Sequence, residues 1–483
     1  MSINSFLFWI VFPLLFLAYW LIPAGLSNGS VRKWYLVIVS YLIYMAYNPA
    51  FALVLLYVTA VTYFGALKID SEGDAVTKRR KWLICILSSM SLLPLILFKY
   101  YNFINGLVIQ LLGQAGIAIG LPGLNWAIPI GISFFTFQAL GYLLDVYHGR
   151  EKAEHDFIDY ALFCSFFPQL ASGPISTASE LMPQLKSERK FVHEHAVQGL
   201  KYVLWGIFLK CVVADRVGMY VDTVMNNYSH FSSMNCLWAA ILFSIQIYAD
   251  FAGYSLMAIG VAKTLGFQLI NNFNRPYFAE SVTEFWKRWH ISLTRWLTRH
   301  VYIPLGGSRC GKARQYMNTM VTFLVSGLWH GANFTFIIWG GIHGVCLIAE
   351  KSAGLDPKGR HKNNRWLLTA KPLRIIMTFM AVTFAWIFFR MPTLSQAWDF
   401  IVRIFGGHNM SQPFMDPASN SDKLFTFLAI MLLFVAELRA EYLREKFKWL
   451  DASWARWTIY VSLFCIVLCI GVLDASSFIY ANF

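Results

Sequence analysis

The sequence predicts an all-α, polytopic integral membrane protein. Of its 483 residues, 57% are hydrophobic and only 14% are charged, whereas a typical soluble domain has about 25% charged residues. The mean hydropathy is +0.51, and apolar runs recur along the whole chain. Because a full span needs about 20 residues, we expect roughly 11 to 13 membrane segments, some of them short or re-entrant.

The apolar runs place these segments along the chain. The continuous runs are Phe6–Leu21, Trp34–Tyr47, Phe51–Leu67, Trp82–Leu97, Phe103–Ile119, Ile128–Leu144, Val197–Val213, Cys236–Val261, Ile375–Phe389, Leu424–Ala436 and Tyr460–Leu473. Two shorter or interrupted stretches, Ala161–Leu170 and Met317–Ala349, add to these. Several runs are too short for a straight span, which predicts broken helices where protein or water surrounds the backbone.

The distribution of lysine and arginine predicts the orientation. Arg32 and Lys33 lie between the first two runs, and the basic segment 78–81 lies between the third and fourth. Basic loops favour the cytoplasmic side, so we expect both loops to be cytoplasmic and the N-terminus outside. The first run has no basic segment before it and no clear cleavage site after it, which is typical of a retained span.

Charge and cysteine content exclude several classes of protein. The same basic loops, facing anionic lipid, explain the net charge of +14. We therefore expect the bilayer, and not nucleic acid, to be the partner of these cations. The eight cysteines are scattered without a C-x-x-C pair, so we expect neither a metal site nor a disulfide framework. We treat residues 1–483 as one membrane-embedded domain.

A basic amphipathic segment runs from Glu284 to Arg314. Helical spacing gives it an apolar face of Phe285, Trp289, Leu293 and Trp296. The cations that fall away from this face are Lys287, Arg288, Arg295 and Arg299. This composition is typical of a helix in the membrane interface. A second interpretation stays open, in which some of these cations bind phosphates of a cytosolic ligand.

His330 is the strongest candidate for a functional side chain. It lies between Gly327 and Gly331 in an apolar stretch, where ionisable groups are costly and are functional candidates by default. Both a hydrogen-bonded structural histidine and a catalytic base fit this position. His343 lies 13 residues further on, about 220° around a continuous helix, which disfavours a shared haem or metal site. We interpret His343 as structural.

A polar stripe lies on one face of another apolar segment. It consists of Gln246, Asp250 and Tyr254, whose i, i+4, i+8 spacing makes them neighbours on a helix. Asp250 needs a partner in such surroundings. We interpret the stripe as a buried structural network rather than a catalytic group.

Six motifs in this order resemble the membrane-bound O-acyltransferase family: "GISFFTFQALGYLLDVYHG", "FFPQLASGPI", "QIYADFAGYSLMAIG", "FNRPYFAESVTEFWKRWHISLTRWL", "YIPLGGSR" and "SGLWHGANFTFIIWGGIHG". The core motifs fall within residues 131–349, and "FAWIFFR" and the terminal "FIYANF" extend the similarity over nearly the whole chain. The sequence resembles the bacterial branch that includes the alginate O-acetyltransferase membrane subunit. One position differs from this branch. Leu256 stands directly after "GYS", and in this feature the sequence resembles the branch of the teichoic-acid D-alanyl transfer protein instead.

The resemblance implies both a fold and a set of site residues. The implied fold is a helical ring around a central funnel. The resemblance implies that His330, in W-H-G, is the catalytic histidine and that His290, in R-W-H, is a second functional position. We assign Trp329 and Asn333, which flank His330, and the four cations of the basic segment to substrate or donor binding.

These observations predict an O-acyltransferase of the bacterial inner membrane. It would move an acyl group, in first place acetyl, from a cytosolic thioester such as acetyl-CoA to a hydroxyl of an extracytoplasmic polysaccharide. No bound cofactor is expected. The resemblance implies a partner protein outside the membrane that completes the transfer.

Several alternatives stay open. D-alanyl or other acyl transfer to teichoic acid or peptidoglycan would use the same chemistry. A glycan-precursor transporter or flippase is disfavoured because no fixed-period repeat is visible, whereas many transporters contain repeated halves. A non-catalytic scaffold for an extracytoplasmic acyltransferase would not depend on His330.

Overall fold

The computed structural model describes residues 3, 5–23, 29–73, 77–117, 120, 122–355, 370–416 and 418–472. These residues form helices, turns and bends without a single strand, which confirms the predicted all-α class. The terminal "FIYANF" motif and the last residue of the final apolar run lie outside the described residues.

Helices follow one another through both halves of the chain. The first ten are α1 (Phe6–Leu21), α2 (Ser30–Met45), α3 (Pro49–Ser71), α4 (Lys78–Leu95), α5 (Tyr101–Gln114), α6 (Ile132–Tyr147), α7 (Phe157–Ser165), α8 (Phe167–Leu170), α9 (Ala178–Lys186) and α10 (His193–Ile207). The next ten are α11 (Asp215–Asn226), α12 (Ser233–Thr264), α13 (Val282–Arg288), α14 (Ile291–Leu297), α15 (Lys312–His330), α16 (Phe334–Ser352), α17 (Lys371–Arg390), α18 (Leu394–Phe405), α19 (Asn420–Leu438) and α20 (Ser453–Ile470). Short π-helical segments, such as Phe208–Ala214, continue several of them.

Seven helical stretches in the described part of the chain are long and apolar enough to cross a membrane. They are Pro49–Ser71, Lys78–Gln114, His193–Asn226, Ser233–Thr264, Phe334–Ser352, Lys371–Arg390 and Ser453–Ile470. Other apolar runs form shorter helices, as in α7 and α8, which are interrupted at Phe166. Full spans and short segments therefore occur together, and the class of a polytopic membrane protein is confirmed.

The chain divides into two compact units. Unit 1 comprises Met1–Leu200 and Ala258–Ile270, and in it α3 packs against α4 and α6. A buried hydrogen bond from Tyr160 Oη to Thr62 Oγ1, at 2.6 Å, ties α7 to α3. The predicted single domain over residues 1–483 stays a prediction.

Unit 2 comprises Lys201–Met257 and Asn271–Phe483 and holds every residue of the predicted site. Its centre is a hairpin of α15 and α16, against which α13 and α17 pack. Glycines let the two hairpin helices meet at the backbone. A Cβ on Gly340 would lie 2.3 Å from the carbonyl oxygen of Phe323, and one on Gly327 would lie 2.2 Å from that of Phe336.

Candidate active site

His330 is the last residue of α15, at the turn of the hairpin. It lies 18 positions after Lys312, the first residue of α15, which corresponds to about 27 Å along the helix axis. The side chain is 3% exposed. Three aromatic rings surround the imidazole, with centroid distances of 4.8 Å to Trp329, 5.0 Å to Trp339 and 5.2 Å to Phe389. His330 therefore lies in an apolar box at one end of the hairpin.

His290 forms a tight turn between α13 and α14. Its backbone has φ 42°, a left-handed conformation that is uncommon for a residue other than glycine and is often found at functional sites. Asn272 holds this turn from both sides. Its carbonyl oxygen accepts from the Ile291 amide at 2.9 Å, and its side chain accepts from Ser292 and faces His290. Asn272 therefore stabilises the strained backbone of this turn.

The bonds of Asn272 also define the tautomer of His290. Asn272 Oδ1 accepts from the Ser292 amide at 3.1 Å and from Ser292 Oγ at 2.8 Å, so it is an acceptor. His290 Nδ1, 3.3 Å from the same oxygen, must then carry the hydrogen. Burial lowers the pKa of His290 to about 3. The imidazole is therefore neutral near pH 7, and Nε2 carries a lone pair.

Trp329 connects the two candidate histidines. Its ring lies 5.8 Å from that of His290 and 4.8 Å from that of His330. The structure thus brings His290, Trp329 and His330, which lie 40 residues apart at the extremes, into one buried cluster.

A cleft of about 270 Å³ lies along the other part of the hairpin. Its lining residues are Thr283, Trp286, Lys287, Thr294, Leu297, Thr298, Tyr302, Thr319, Thr322, Phe323, Ser326, Leu347 and Lys351. Five threonines and two lysines line it together with large apolar side chains. Ser326, four residues before His330 on α15, is the lining residue nearest to it in sequence, so one helical turn separates them.

The four cations of the basic segment have different surroundings in the structure. Lys287 lines the cleft. Arg288 is held by Glu284 at 2.7 Å and by Glu441 at 3.0 Å. Arg295 and Arg299 are not among the residues that line the cleft.

A further cation, Lys351, joins Lys287 in the cleft. It donates to Thr319 Oγ1 at 3.2 Å and lies over the Tyr302 ring at 5.7 Å. The cleft therefore contains two lysines from two different helices. Lys351 lies in the last turn of α16, just after the apolar stretch Met317–Ala349, and the sequence gave no reason to assign it to the site.

Asn333 contributes to the local structure of the hairpin turn. Its Oδ1 accepts from the Thr335 amide at 3.1 Å and so caps α16. Its Nδ2 donates to the carbonyl oxygen of Pro392 at 2.6 Å. Both bonds fix the turn that carries His330, while the assignment of Asn333 to substrate or donor binding stays a prediction.

The polar stripe on α12 has the partner that Asp250 requires. Lys210 Nζ lies 2.6 Å from Asp250 and 2.7 Å from Asp215. Gln246 and Tyr254 are buried on the same helix. Lys210 was not identified from the sequence, because it lies 40 residues before Asp250 in a π-helical segment.

His343 is packed among rings. It is 1% exposed and lies within 5.1 Å of the Trp286 and Trp339 ring centroids. Within the described residues, neither of its ring nitrogens has a hydrogen-bond partner. Its interpretation as a structural residue stays a prediction.

The described residues also contain no cluster of three or more histidine, cysteine or acidic side chains that could hold a metal ion.

A helical membrane protein with a buried histidine pair beside a lysine-lined cleft fits a membrane-embedded transferase. A profile of the membrane-bound O-acyltransferase family matches residues 148–391. The probable alginate O-acetylase AlgI of Pseudomonas aeruginosa is 36% identical over 391 residues, which cover 80% of this chain and 72% of that protein. The chain belongs to the membrane-bound O-acyltransferase family, and it is an O-acyltransferase.

Two other relatives show the range of acceptors in the family. The peptidoglycan O-acetyltransferase of Helicobacter pylori is 34% identical over 422 residues, covering 82% of this chain and 78% of that protein. The teichoic acid D-alanyltransferase of Streptococcus thermophilus is 28% identical over 336 residues, covering 64% and 75%. All three names describe acylation of a polymer, and two of them describe transfer of acetyl.

Proposed function

We propose that the protein transfers an acetyl group from a cytosolic thioester, acetyl-CoA in first place, to a hydroxyl of an extracytoplasmic polysaccharide. The observation that carries the proposal is the position of His330, buried at one end of a hairpin whose other part lines a lysine-containing cleft. A transfer across a membrane needs a donor entrance on one side and a base at the point where donor and acceptor meet. The relatives named for acetyl transfer support acetyl as the acyl group.

In this proposal His330 acts as the general base. It takes the proton of the acceptor hydroxyl as the oxygen attacks the thioester carbonyl. The new C–O bond forms, the C–S bond breaks, and the thiolate leaves with the proton that His330 carries. General-base assistance of this kind contributes roughly 10²–10⁴-fold. The apolar box of Trp329, Trp339 and Phe389 excludes water that would otherwise hydrolyse the thioester.

His290 acts as a positioning residue in the same proposal. Its Nδ1 hydrogen is directed to Asn272, so in this tautomer Nε2 carries a lone pair and can accept a hydrogen bond but not donate one. A role in which His290 donates to a developing oxyanion does not fit this tautomer. A role in which His290 accepts a hydrogen bond from the acceptor hydroxyl, or from a neighbouring N–H, does fit this tautomer.

The acyl donor would enter through the cleft. Lys287 and Lys351 provide positive charge for the phosphates of a nucleotide thioester, while Phe323 and Trp286 provide apolar contact for its arm. Ser326 marks the part of the cleft from which the thioester reaches His330.

The charges at the helix ends of unit 2 support one orientation. The termini opposite His330 carry Lys312, Arg314, Lys351, Lys371 and Arg374. At the end of α17 nearer His330, Arg390 is bonded to Asp222 at 2.8 Å. Positive ends favour the cytoplasm, so we place the cleft on the cytoplasmic side and His330 towards the outside of the bacterial inner membrane.

The relatives named for acetylation of alginate and of peptidoglycan support a polysaccharide of the cell envelope as the acceptor. We also propose a separate extracytoplasmic protein that completes its modification. D-alanyl transfer is the second candidate, which the relative named a teichoic acid D-alanyltransferase supports.

The test measures cleavage of radiolabelled acetyl-CoA by the purified protein in liposomes, with and without soluble oligosaccharide. Acceptor-dependent release of CoA with label on the sugar is expected. A flippase would move glycan without cleaving the thioester, and a scaffold would do neither. D-alanyl transfer predicts turnover only with a D-alanyl thioester. Mass spectrometry of the surface polymers of a deletion strain identifies the acceptor, which should lose its acetyl groups.

A further inference from the structure

Helix α18 (Leu394–Phe405) plays no part in the proposed chemistry, yet its surface is divided into three distinct faces. At 100° per residue, its outward apolar side chains fall within about 80° of one another. They are Leu394, Trp398, Val402 and Phe405, which are 39%, 63%, 48% and 81% exposed. The buried face carries Ala397, Phe400 and Ile401. The remaining arc carries Ser395, Gln396, Asp399 and Arg403.

The buried face fixes α18 to the rest of unit 2. Phe400 packs edge-on against Tyr228 at 5.7 Å. Arg403 donates to the carbonyl oxygen of Phe231 at 2.7 Å, and Ser233 Oγ donates to the carbonyl oxygen of Arg403 at 2.6 Å. These bonds tie α18 to the connection between α11 and α12. The protein therefore holds the helix in one orientation, with the stripe of Leu394, Trp398, Val402 and Phe405 pointing outward.

The start of α18 lies where a membrane span ends. Arg390 is the last residue of α17, a candidate span, and only residues 391–393 separate it from Leu394. A helix that begins three residues after a span, and that has an apolar arc beside a polar arc, is typical of an element lying in the membrane interface. The stripe also carries Trp398, which matches the preference of tryptophan for that level.

We infer that α18 lies in the plane of the membrane, with the stripe of Leu394, Trp398, Val402 and Phe405 in the lipid. The lipid surface is favoured over a protein partner because the apolar arc adjoins an exposed polar arc that would face water. The placement does not depend on the identity of the acyl group or the acceptor.

The test is site-directed spin labelling of the full-length protein in phosphatidylcholine–phosphatidylglycerol vesicles. The exposed cysteines Cys85, Cys465 and Cys469 are replaced by alanine, and this parent gives the labelling background. Single cysteines are then introduced as Trp398→Cys and Phe405→Cys on the stripe. Gln396→Cys and Asp399→Cys serve as matched controls on the polar arc.

The experiment compares two collision rates of each spin label. One is the rate with oxygen, which concentrates in lipid, and the other is the rate with a water-soluble nickel chelate. We expect oxygen to dominate at 398 and 405 and nickel to dominate at 396 and 399. The depth of the stripe labels should be roughly 5–10 Å below the phosphates. Nickel access at 398 and 405 equal to that at 399 would overturn the inference, since the stripe would then face water and be free for a protein. Depths near the bilayer centre on both arcs would overturn it as well.

Discussion

The two ends of the α15–α16 hairpin differ in the chemistry that they present. The part that runs from Lys351 and Thr319 to Ser326 lines an open cleft with threonines and lysines. The end with His330 is closed by three aromatic rings, and its histidine is 3% exposed. The same two helices therefore carry an accessible cleft and a dry pocket, and one helical turn separates Ser326 of the cleft from His330.

The difference shows how one hairpin can separate binding from reaction. Charges that bind a soluble donor must be reachable from water, whereas a base that activates a hydroxyl against a thioester works best where water is excluded. The glycine contacts between α15 and α16 keep the two ends in fixed register. The predictions below disturb this arrangement, beginning with the hairpin itself.

The largest effect is expected for Gly340→Ala. A Cβ at this position would lie 2.3 Å from the carbonyl oxygen of Phe323, so the helices must separate. Overpacking that backbone cannot relieve costs about 3 kcal/mol or more. The monodisperse fraction after detergent extraction should fall and transfer should be lost.

The matched control is the neighbouring Gly341→Ala. Its nearest atom would be Leu324 Cδ2 at 3.9 Å, an ordinary contact, and alanine favours a helix by roughly 0.5–1 kcal/mol over glycine. Equal melting temperatures for the two variants would show that close packing at Gly340 is not what holds the two ends in register.

A smaller effect is expected from His290 on stability at low pH. The pKa of His290 is about 3 in the folded protein, lowered by burial, and about 6.5 in the unfolded chain. Between these values the unfolded chain binds more protons, so stability falls as the pH drops below about 6.5. At pH 5 the loss is about 2 kcal/mol.

Thermal unfolding at pH 7 and pH 5 measures this effect. His290→Gln should lose less stability on acidification than the wild type, and the exposed His193→Gln should behave like the wild type. If the thermal stability of the wild type and of His290→Gln depended on pH in the same way, His290 would not be a buried neutral imidazole. The tautomer assigned to it would then also be wrong.

The smallest effect concerns the open end of the hairpin. Replacing Lys287 and Lys351 together by glutamine should raise the KM for acetyl-CoA about tenfold, or about 1.4 kcal/mol, with kcat nearly unchanged. Contacts made equally in the ground and transition states affect KM alone. Steady-state kinetics in liposomes give both constants.

Arg295 and Arg299 provide the comparison for the lysine pair, because they belong to the same basic segment but do not line the cleft. Their double glutamine variant should change KM less than the lysine variant does. A larger rise in KM for the arginine variant would move the donor site from the cleft to the surface of α14.

The sequence was sufficient for the fold class because composition alone separates a membrane protein from a soluble one. Apolar runs also located the spans, as at Lys371–Arg390. The broken helices α7 and α8 could be anticipated because their run is too short to cross a bilayer.

Partners could not be predicted, because they depend on which helices meet. The sequence required a partner for Asp250 but could not select Lys210. Arg288 was predicted as a donor contact, and only the fold reveals that Glu441, 153 residues away, shares it. The role of Asn272 in stabilising the R-W-H turn could not be predicted either. The sequence does not show that the backbone of His290 is left-handed and needs such support.

The central claim is that His330 is the base at the closed end of the hairpin, and its most direct test is the acetyl-transfer rate of purified His330→Gln in liposomes. Glutamine retains hydrogen bonding but has no nitrogen that accepts a proton. His343→Phe, which keeps a ring beside Trp286 and Trp339, is the control and should retain most of the wild-type rate. We expect His330→Gln to lose at least about 10²-fold in rate while the protein stays folded. Retention of more than about a tenth of the wild-type rate, a loss of under about 1.4 kcal/mol in the barrier, would contradict the account.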